Sequence, residues 1–283
     1  MTWSSASGRK ELAARLRQIG GSDDAAIDPA EAALLLAALD RPRVPLERYR
    51  HHLSLLERDT AEAIGKLDPA SLKARAAALN QVIVERYGYQ GDQLTYDDLQ
   101  NANLMRVIDR RKGLPVTLGI LYMHAARAQG WTIHGLNFPG HFLLRLDLGS
   151  ERLILDPFAG GQQRDTAALR ELLKSFSGNE AELRPEHYAP VGNRDILLRV
   201  QGNIKLRLLQ DKRPEEALAA LESMLMIAPG QARLWREAGL LHAHLGNLRA
   251  AFMGLEQFIE LSRDEQGRHE AATLLQGLKS RLN

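Results

Sequence analysis

The 283-residue sequence contains no cysteine. This absence excludes a disulfide framework, a thiolate nucleophile and a Cys-ligated zinc or iron-sulfur centre. Aromatic residues make up only 5% of the chain, and no cluster of aromatic and basic residues suited to stacking nucleic-acid bases is present. The missing thiol matters most for function, because several classes of enzyme depend on one.

Long runs of one charge sign and long apolar runs are also absent. The 37 basic and 35 acidic side chains give a net charge of +2 and are interleaved along the chain. We therefore expect neither nucleic acid nor a membrane as a partner. The apolar run Ala32–Leu39 is too short to span a bilayer, and Met1–Lys10 has no apolar segment of the secretory type. A cytoplasmic protein is expected.

Helical signals fill the N-terminal third of the chain. The hydrophobic content of 45% supports a sizeable core, and the length favours two domains. Asp28 as an N-cap followed by Pro29 predicts a helix that ends near Asp40, ahead of two prolines. Further helices are predicted over residues 46–67 and 68–87.

The central segment changes from helical to extended patterns. We predict helices over 101–112 and 117–129, the second ending at Gly130. Three extended segments then follow with short turns at Pro139-Gly140 and Gly149-Ser150, which predicts strands of an antiparallel sheet at 132–138, 141–148 and 152–155.

A histidine and an aspartate stand fifteen residues apart in this sheet region, at His141 and Asp156. A strand, a turn and a second strand fit that interval, so adjacent strands would bring the two side chains together. A carboxylate that accepts from one imidazole nitrogen leaves the other nitrogen facing a nucleophile. We expect that nucleophile at the start of the helix after Gly113, where the helix dipole favours an anion.

The C-terminal third is helical and repeats with an offset of 34 residues. Trp235 and Gly239 open the second unit, whereas Gln201 and Lys205 stand at those positions in the first. The pattern over residues 196–261 resembles the tetratricopeptide repeat, whose small residues let two helices cross closely. The aligned positions are Ala217 with Ala251, Leu221 with Leu255, and Met224 with Phe258.

Three central segments resemble the bacterial SirB family: Arg110–Leu118, Asn137–Leu143 and Leu155–Phe158. In that family a transglutaminase-like domain, related to the papain-type cysteine fold, precedes tetratricopeptide repeats. The resemblance runs from about Asp28 to Leu261. It implies an α+β fold with an extension over 1–27, a transglutaminase-like domain with a helical N-terminal part over 28–190, and an all-α repeat region over 195–283.

The resemblance also implies a candidate catalytic triad. In active transglutaminases a helix opens with a catalytic cysteine, and histidine and aspartate follow on the sheet; His141 and Asp156 match the latter two. The cysteine position falls within 115–117, where only Thr117 bears a nucleophilic atom. The alternative is structural: Thr117 begins the helix with its oxygen bonded to the backbone, and the His-Asp pair is a buried hydrogen bond.

A metal centre is a rival interpretation of the histidines. His124 and His134 could join His141 and Asp156, but the spacings match no ligand signature. We predict no metal and no cofactor.

The favoured function is a cytoplasmic interaction or regulatory protein with a catalytically degenerate core. Its partner is expected to be a protein or peptide, bound through the core groove and the repeats, since stacked repeats form surfaces suited to polypeptides. Arg106, Arg110 and Trp235 are the candidate binding residues. The alternative is an acyl-transfer or amide-hydrolysing enzyme that uses Thr117, His141 and Asp156. The sequence makes no prediction of the oligomeric state.

Overall fold

The computed structural model describes residues 5–279, which divide into two compact units. Of the described residues, the first comprises Ser5 and residues 24–196, and the second comprises residues 6–23 and 197–279. The helices of the first unit are α2 (Pro29–Asp40), α3 (Glu47–Ile64), α4 (Leu72–Asn80), α5 (Leu104–Arg110), α6 (Pro115–Ala128) and α7 (Thr166–Ser177). Its strands are β1 (Gln90–Gly91), β2 (Lys112–Gly113), β3 (Thr132–Gly135), β4 (Leu144–Leu148), β5 (Glu151–Asp156) and β6 (Gln162–Gln163).

The second unit is entirely helical over its described residues. It contains α1 (Ser5–Gly20), α9 (Pro214–Ile227), α10 (Ala232–His244), α11 (Leu248–Leu261), α12 (Glu265–Lys279) and most of α8 (Asn193–Gln210), within which the boundary falls. Of the predicted extension over 1–27, residues 6–23 group with the second unit, while residues 1–4 lie outside the described range. No helix described between residues 5 and 279 combines the length and apolarity needed to cross a membrane.

Two helix starts illustrate what local chemistry decides. The Asp28 carboxylate accepts from the amide of Ala30 at 2.9 Å and caps α2, which confirms the predicted start at Pro29. The helix predicted to open at Asp68 instead begins at Leu72. Ser71 is its N-cap, because the Asp68 carboxylate is used in the preceding turn, where it accepts from the amide of Ala70 at 3.0 Å.

The sheet is antiparallel, as predicted, and its strand order is β3-β4-β5-β6, in which β6 was not predicted. The β4-β5 hairpin turns at Gly149, whose φ of 58° suits glycine. His141 does not lie on a strand: the β3-β4 connection extends to Leu143, and β4 begins only at Leu144. The prediction was wrong here because Phe142 and Leu143 continue the apolar pattern of the strand while belonging to the buried connection.

Helix α6 lies at the centre of the first unit. Eleven of its fourteen residues are buried, and it packs on α3, on β3 and on the short parallel pair of β1 with β2. Helix α7 contributes Leu169 and Leu173 to another apolar cluster, which also contains Leu136, Phe138 and Leu143. The expected α+β core is confirmed.

The repeat offset is also confirmed. Helices α9 and α11 begin 34 residues apart, at Pro214 and Leu248, and the three residue pairs aligned by the offset are buried throughout. A Cβ added to Gly239 would lie 2.8 Å from Cγ of Leu255. The crossing of α10 and α11 therefore needs a residue without a side chain at Gly239.

Candidate functional site

The centre of the candidate site is the hydrogen bond between His141 Nε2 and Asp156 Oδ1, at 2.9 Å. Both residues are buried. Asp156 ends β5, and His141 follows a turn at Gly140, whose φ is +70°. The structure thus brings together two of the three predicted triad residues.

Asp156 is held by more than the histidine. Its Oδ1 accepts from the amides of Phe158 and Ala159 at 3.1 and 3.2 Å, and its Oδ2 accepts from Arg164 at 2.8 Å. Burial pushes the pKa of the Asp156 carboxyl upward, but hydrogen bonds and charge from His141 and Arg164 outweigh it and leave this pKa below its ordinary value. Asp156 is therefore ionised and organises the turn after β5.

Two phenylalanines enclose the imidazole. The Phe176 ring stacks on His141 with centroids 5.9 Å apart, and the Phe158 ring meets it edge-on at 6.1 Å. Phe176 is itself half-exposed. The rings of Phe158 and Phe176 therefore cover the imidazole of His141, and Phe176 itself is exposed to solvent.

Thr117 is the third residue of α6, in the first turn of the helix, and is fully buried. Its Oγ1 donates to the carbonyl oxygen of Asn101 at 2.9 Å, with the carbonyl of Leu114 at 3.1 Å as a second acceptor. The hydroxyl proton is thus directed at backbone oxygens. This hydrogen-bonding arrangement joins the start of α6 to the segment that precedes α5.

The same segment anchors a loop over residues 92–98. Arg110 donates to the Asn101 side-chain oxygen at 3.0 Å and to Asp92 Oδ2 at 3.1 Å. Asp92 also accepts from the hydroxyl of Thr95 at 2.7 Å, and Asn101 donates to the Thr95 carbonyl at 2.6 Å. Hydrogen bonds, first from Thr95, lower the pKa of Asp92 to about 2. One continuous network therefore fixes the loop.

A cavity of about 550 Å³ lies beside this loop and is lined in part by Gln90, Leu94, Lys112, Phe158 and Gly160. Phe158 is the wall that it shares with the His-Asp pair. We call this cavity the core groove. The parallel pairing of β1 with β2, which the sequence analysis did not predict, builds one side of it.

The candidate binding residues have different environments. Arg110 is engaged in the network described above. Arg106 is exposed on α5, and its backbone amide donates to the N-cap Asn103. Trp235 lies in the second unit, partly buried, and its indole N–H donates to the Pro229 carbonyl at 2.7 Å.

The histidines of the rival metal site do not converge. His124 lies 2.8 Å from a Glu57 carboxylate oxygen, and His134 lies 3.7 Å from Asp147. Across residues 5–279, no three His, Asp or Glu side chains come together in a way that could hold a metal ion.

Two hydrogen bonds that link Tyr122, Asn80 and Gly161 were not predicted from the sequence, and we call them the brace behind Asp156. The hydroxyl of Tyr122 donates to the side-chain oxygen of Asn80 at 2.9 Å, and the Asn80 amide donates to the carbonyl of Gly161 at 3.1 Å. Burial raises the pKa of Tyr122, so its hydroxyl keeps its proton. The signal in the sequence was Gly161 itself, because its φ of 71° is a backbone conformation that favours glycine.

Comparisons with known proteins agree with this architecture. The transglutaminase-like superfamily matches residues 47–202, and the tetratricopeptide repeat matches residues 204–276. A UPF0162 protein of Xylella fastidiosa (strain Temecula1) is 30% identical, with 84% of this chain and 85% of the relative covered. A UPF0162 protein of Vibrio cholerae is 31% identical, with 83% and 86% covered.

A eukaryotic relative is more distant. F-box only protein 21 of Pongo abelii is 26% identical, over 70% of this chain but only 32% of its own length. No solved structure matches the chain significantly. The chain belongs to the transglutaminase-like superfamily, among the SirB-like UPF0162 proteins that carry tetratricopeptide repeats after the transglutaminase-like domain.

Proposed function

We propose that the protein is a polypeptide-binding module whose transglutaminase-like core performs no acyl transfer. The observation that carries the proposal is the hydrogen bonding of Thr117, which is fully buried and donates to backbone carbonyls. A threonine hydroxyl becomes a nucleophile only when a general base accepts its proton. Here the acceptors are carbonyl oxygens, which cannot serve as that base, and they fix the hydroxyl in the core.

Tetratricopeptide repeats generally mediate protein interactions, and the second unit carries an apolar stripe suited to that role. Leu206, Leu240 and Leu274 follow one another at 34-residue intervals on α8, α10 and α12. Their exposed fractions are 55%, 41% and 44%. We call these three residues the leucine stripe. Apolar side chains repeated on an exposed face are typical of an interaction surface.

Ion pairs align the helices that carry the leucine stripe. Lys205 of α8 pairs with Glu237 of α10, and Arg236 of α10 pairs with Glu270 of α12 at 2.6 Å. Packed helices lie about 8–10 Å apart. A partner helix advances about 10.5 Å in seven residues. We therefore expect an amphipathic helical partner with apolar residues seven positions apart.

The test of binding is capture of partners from native lysate on the full-length protein. Leu206, Leu240 and Leu274 are changed together to Gln, and Met253→Gln on α11, where Met253 is 62% exposed, is the matched control. We expect the triple variant to lose the partner that the wild type and the control retain. Recovery of the same partner by all three proteins would reject the stripe as the binding surface.

The second candidate function is amide hydrolysis or acyl transfer, and the buried His141–Asp156 hydrogen bond favours it. Its direct assay is ammonia release from a glutamine-containing peptide in the presence of an amine acceptor. Turnover that disappears in both Thr117→Val and His141→Gln would support this enzyme function over the binding module. The cytoplasmic location stays a prediction.

A further inference from the structure

The core groove contains one cation without a partner. Lys112 lines the groove and is partly buried, and within residues 5–279 its ammonium has no hydrogen bond or ion pair. The stem of a lysine can be covered while its ammonium stays in water, and this ammonium has no group among the described residues to pair with. An anionic group bound in the groove would supply that partner.

The acidic residue of the groove cannot supply it. Asp92 also lines the cavity, but its carboxylate accepts twice from Thr95 and pairs with Arg110 at 3.1 Å. Asp92 is therefore paired with Arg110, which also lies 3.9 Å from Asp98, and Lys112 is left as the lining cation that can pair with a ligand.

Apolar groups surround the same cavity. Leu94 is 90% exposed although the network of Asp92 and Thr95 holds its loop in place. Phe158 forms part of the wall, and Tyr96 packs edge-on against it with ring centroids 5.6 Å apart. A fully exposed leucine on a fixed loop is suited to contact with a ligand, because little conformational entropy of the loop is lost on binding.

We propose that the core groove binds an acidic peptide segment: a Glu or Asp side chain pairs with Lys112, and a neighbouring apolar side chain packs on Leu94 and Phe158. This inference rests on the proposed function and names the ligand of one of its surfaces. A peptide satisfies both requirements because alternating acidic and apolar residues place both groups on one short segment. Phe158 places this ligand next to the covered His141 ring.

The test is fluorescence anisotropy with two labelled peptides, acetyl-Gly-Leu-Glu-Leu-Gly and the same peptide with Gln in place of Glu, both amidated at the C-terminus. We expect the wild type to bind the Glu peptide at least about tenfold more tightly at low salt, where charge pairs are least screened. Lys112→Met should abolish the preference, Lys112→Arg should keep it, and Leu94→Ser should weaken both peptides.

Lys73→Met is the matched control, because Lys73 is exposed on α4 and lies outside the groove lining. It should leave both affinities unchanged. If Lys112→Met has the same midpoint temperature of thermal unfolding as the wild type, the variant is folded. Equal affinity of the wild type for the two peptides, a preference that survives Lys112→Met, or no binding of either peptide would overturn the inference. Retained capture of a partner through the leucine stripe would then leave the proposed function standing.

Discussion

His141 Nε2 lies 2.9 Å from Asp156 Oδ1, in a site where Arg164 and two backbone amides bind the same carboxylate. The pair is thus part of a wider arrangement in which Asp156 has four hydrogen-bonding neighbours. Such an arrangement stabilises the turn after β5 whether or not the histidine takes part in chemistry.

Asp156→Asn should destabilise the protein by about 2 to 4 kcal/mol, because it removes the charge that compensates Arg164 and places an amide donor among donors. The measurement is urea unfolding at pH 7. Asp165→Asn is the control: Asp165 caps α7 on the surface, and Asn is an equally good N-cap. Equal losses in the two variants would contradict the account.

The pH dependence of the same variant follows from the lowered pKa of Asp156. A carboxyl with a pKa lower in the folded than in the unfolded state contributes stability that is present above its ordinary value of 3.8. That contribution is lost as the pH falls through the folded-state pKa. Asp156→Asn should therefore lose less stability than the wild type on acidification below pH 3.8.

Gly161→Ala should disturb the brace behind Asp156. The residue has a φ of 71°, and an added Cβ would lie 1.8 Å from the side-chain oxygen of Asn80. We expect a loss of more than about 2 kcal/mol, because the strained backbone and the displaced Asn80 add together. Gly149→Ala is the control, since Gly149 has a φ of 58° and open space around its Cβ position. It should cost only the backbone term, about 1 kcal/mol.

His52 should give the protein a second pH dependence. Burial, followed by the charge of Arg111, lowers the pKa of His52 to about 4. The imidazole of the unfolded chain binds a proton below about pH 6.5, whereas the folded protein binds it only below about pH 4. Because the unfolded state binds more protons between these pH values, the free energy of unfolding falls as the pH decreases from 6.5 to 4. The loss reaches at most about 3 kcal/mol.

The measurement is unfolding from pH 7 to pH 4 in wild type and His52→Gln. The glutamine retains an acceptor for Arg111, which donates to His52 Nε2 at 2.7 Å. The variant should show a flatter profile, and His244→Gln, at an exposed position on α10, should keep the wild-type slope. Parallel profiles for wild type and His52→Gln would argue against a neutral buried histidine.

Thr117→Val should cost about 0.5 to 1.5 kcal/mol, because it removes the donor of a buried hydrogen bond, while the carbonyls of Asn101 and Leu114 keep the amides of Leu114 and Leu118 as donors. Thr117→Ser keeps the hydroxyl and should lose only the contribution of one methyl group, about 1 kcal/mol. Thermal unfolding compares the two. A Val variant as stable as the wild type would mean that the hydroxyl does not hold α6 to Asn101.

Local signals in the sequence predicted much of the fold. The Asp28–Pro29 cap, the hairpin at Gly149 and the 34-residue offset each depend on residues close in sequence, and each is confirmed. The strand predicted from His141 failed because an apolar run does not separate a buried connection from a strand.

The candidate site was predictable only in part. The fifteen-residue interval between His141 and Asp156 and the resemblance to a known family both predicted that these side chains meet, although His141 lies in the connection before β4 and not on a strand. The network from Thr117 through Asn101 and Arg110 to Asp92 joins residues separated by up to 25 positions through loops and side chains. No periodic pattern encodes such contacts, because they depend on how the loop over 92–98 folds back onto α5.

The most direct test of the central claim is mass spectrometry of the partner recovered by wild type, Thr117→Val and His141→Gln proteins. We predict the same partner from all three proteins, with unchanged covalent structure, because binding requires neither side chain as a reactive group. A partner that is cleaved, deamidated or cross-linked by the wild type alone would contradict this prediction and would establish a threonine-based triad.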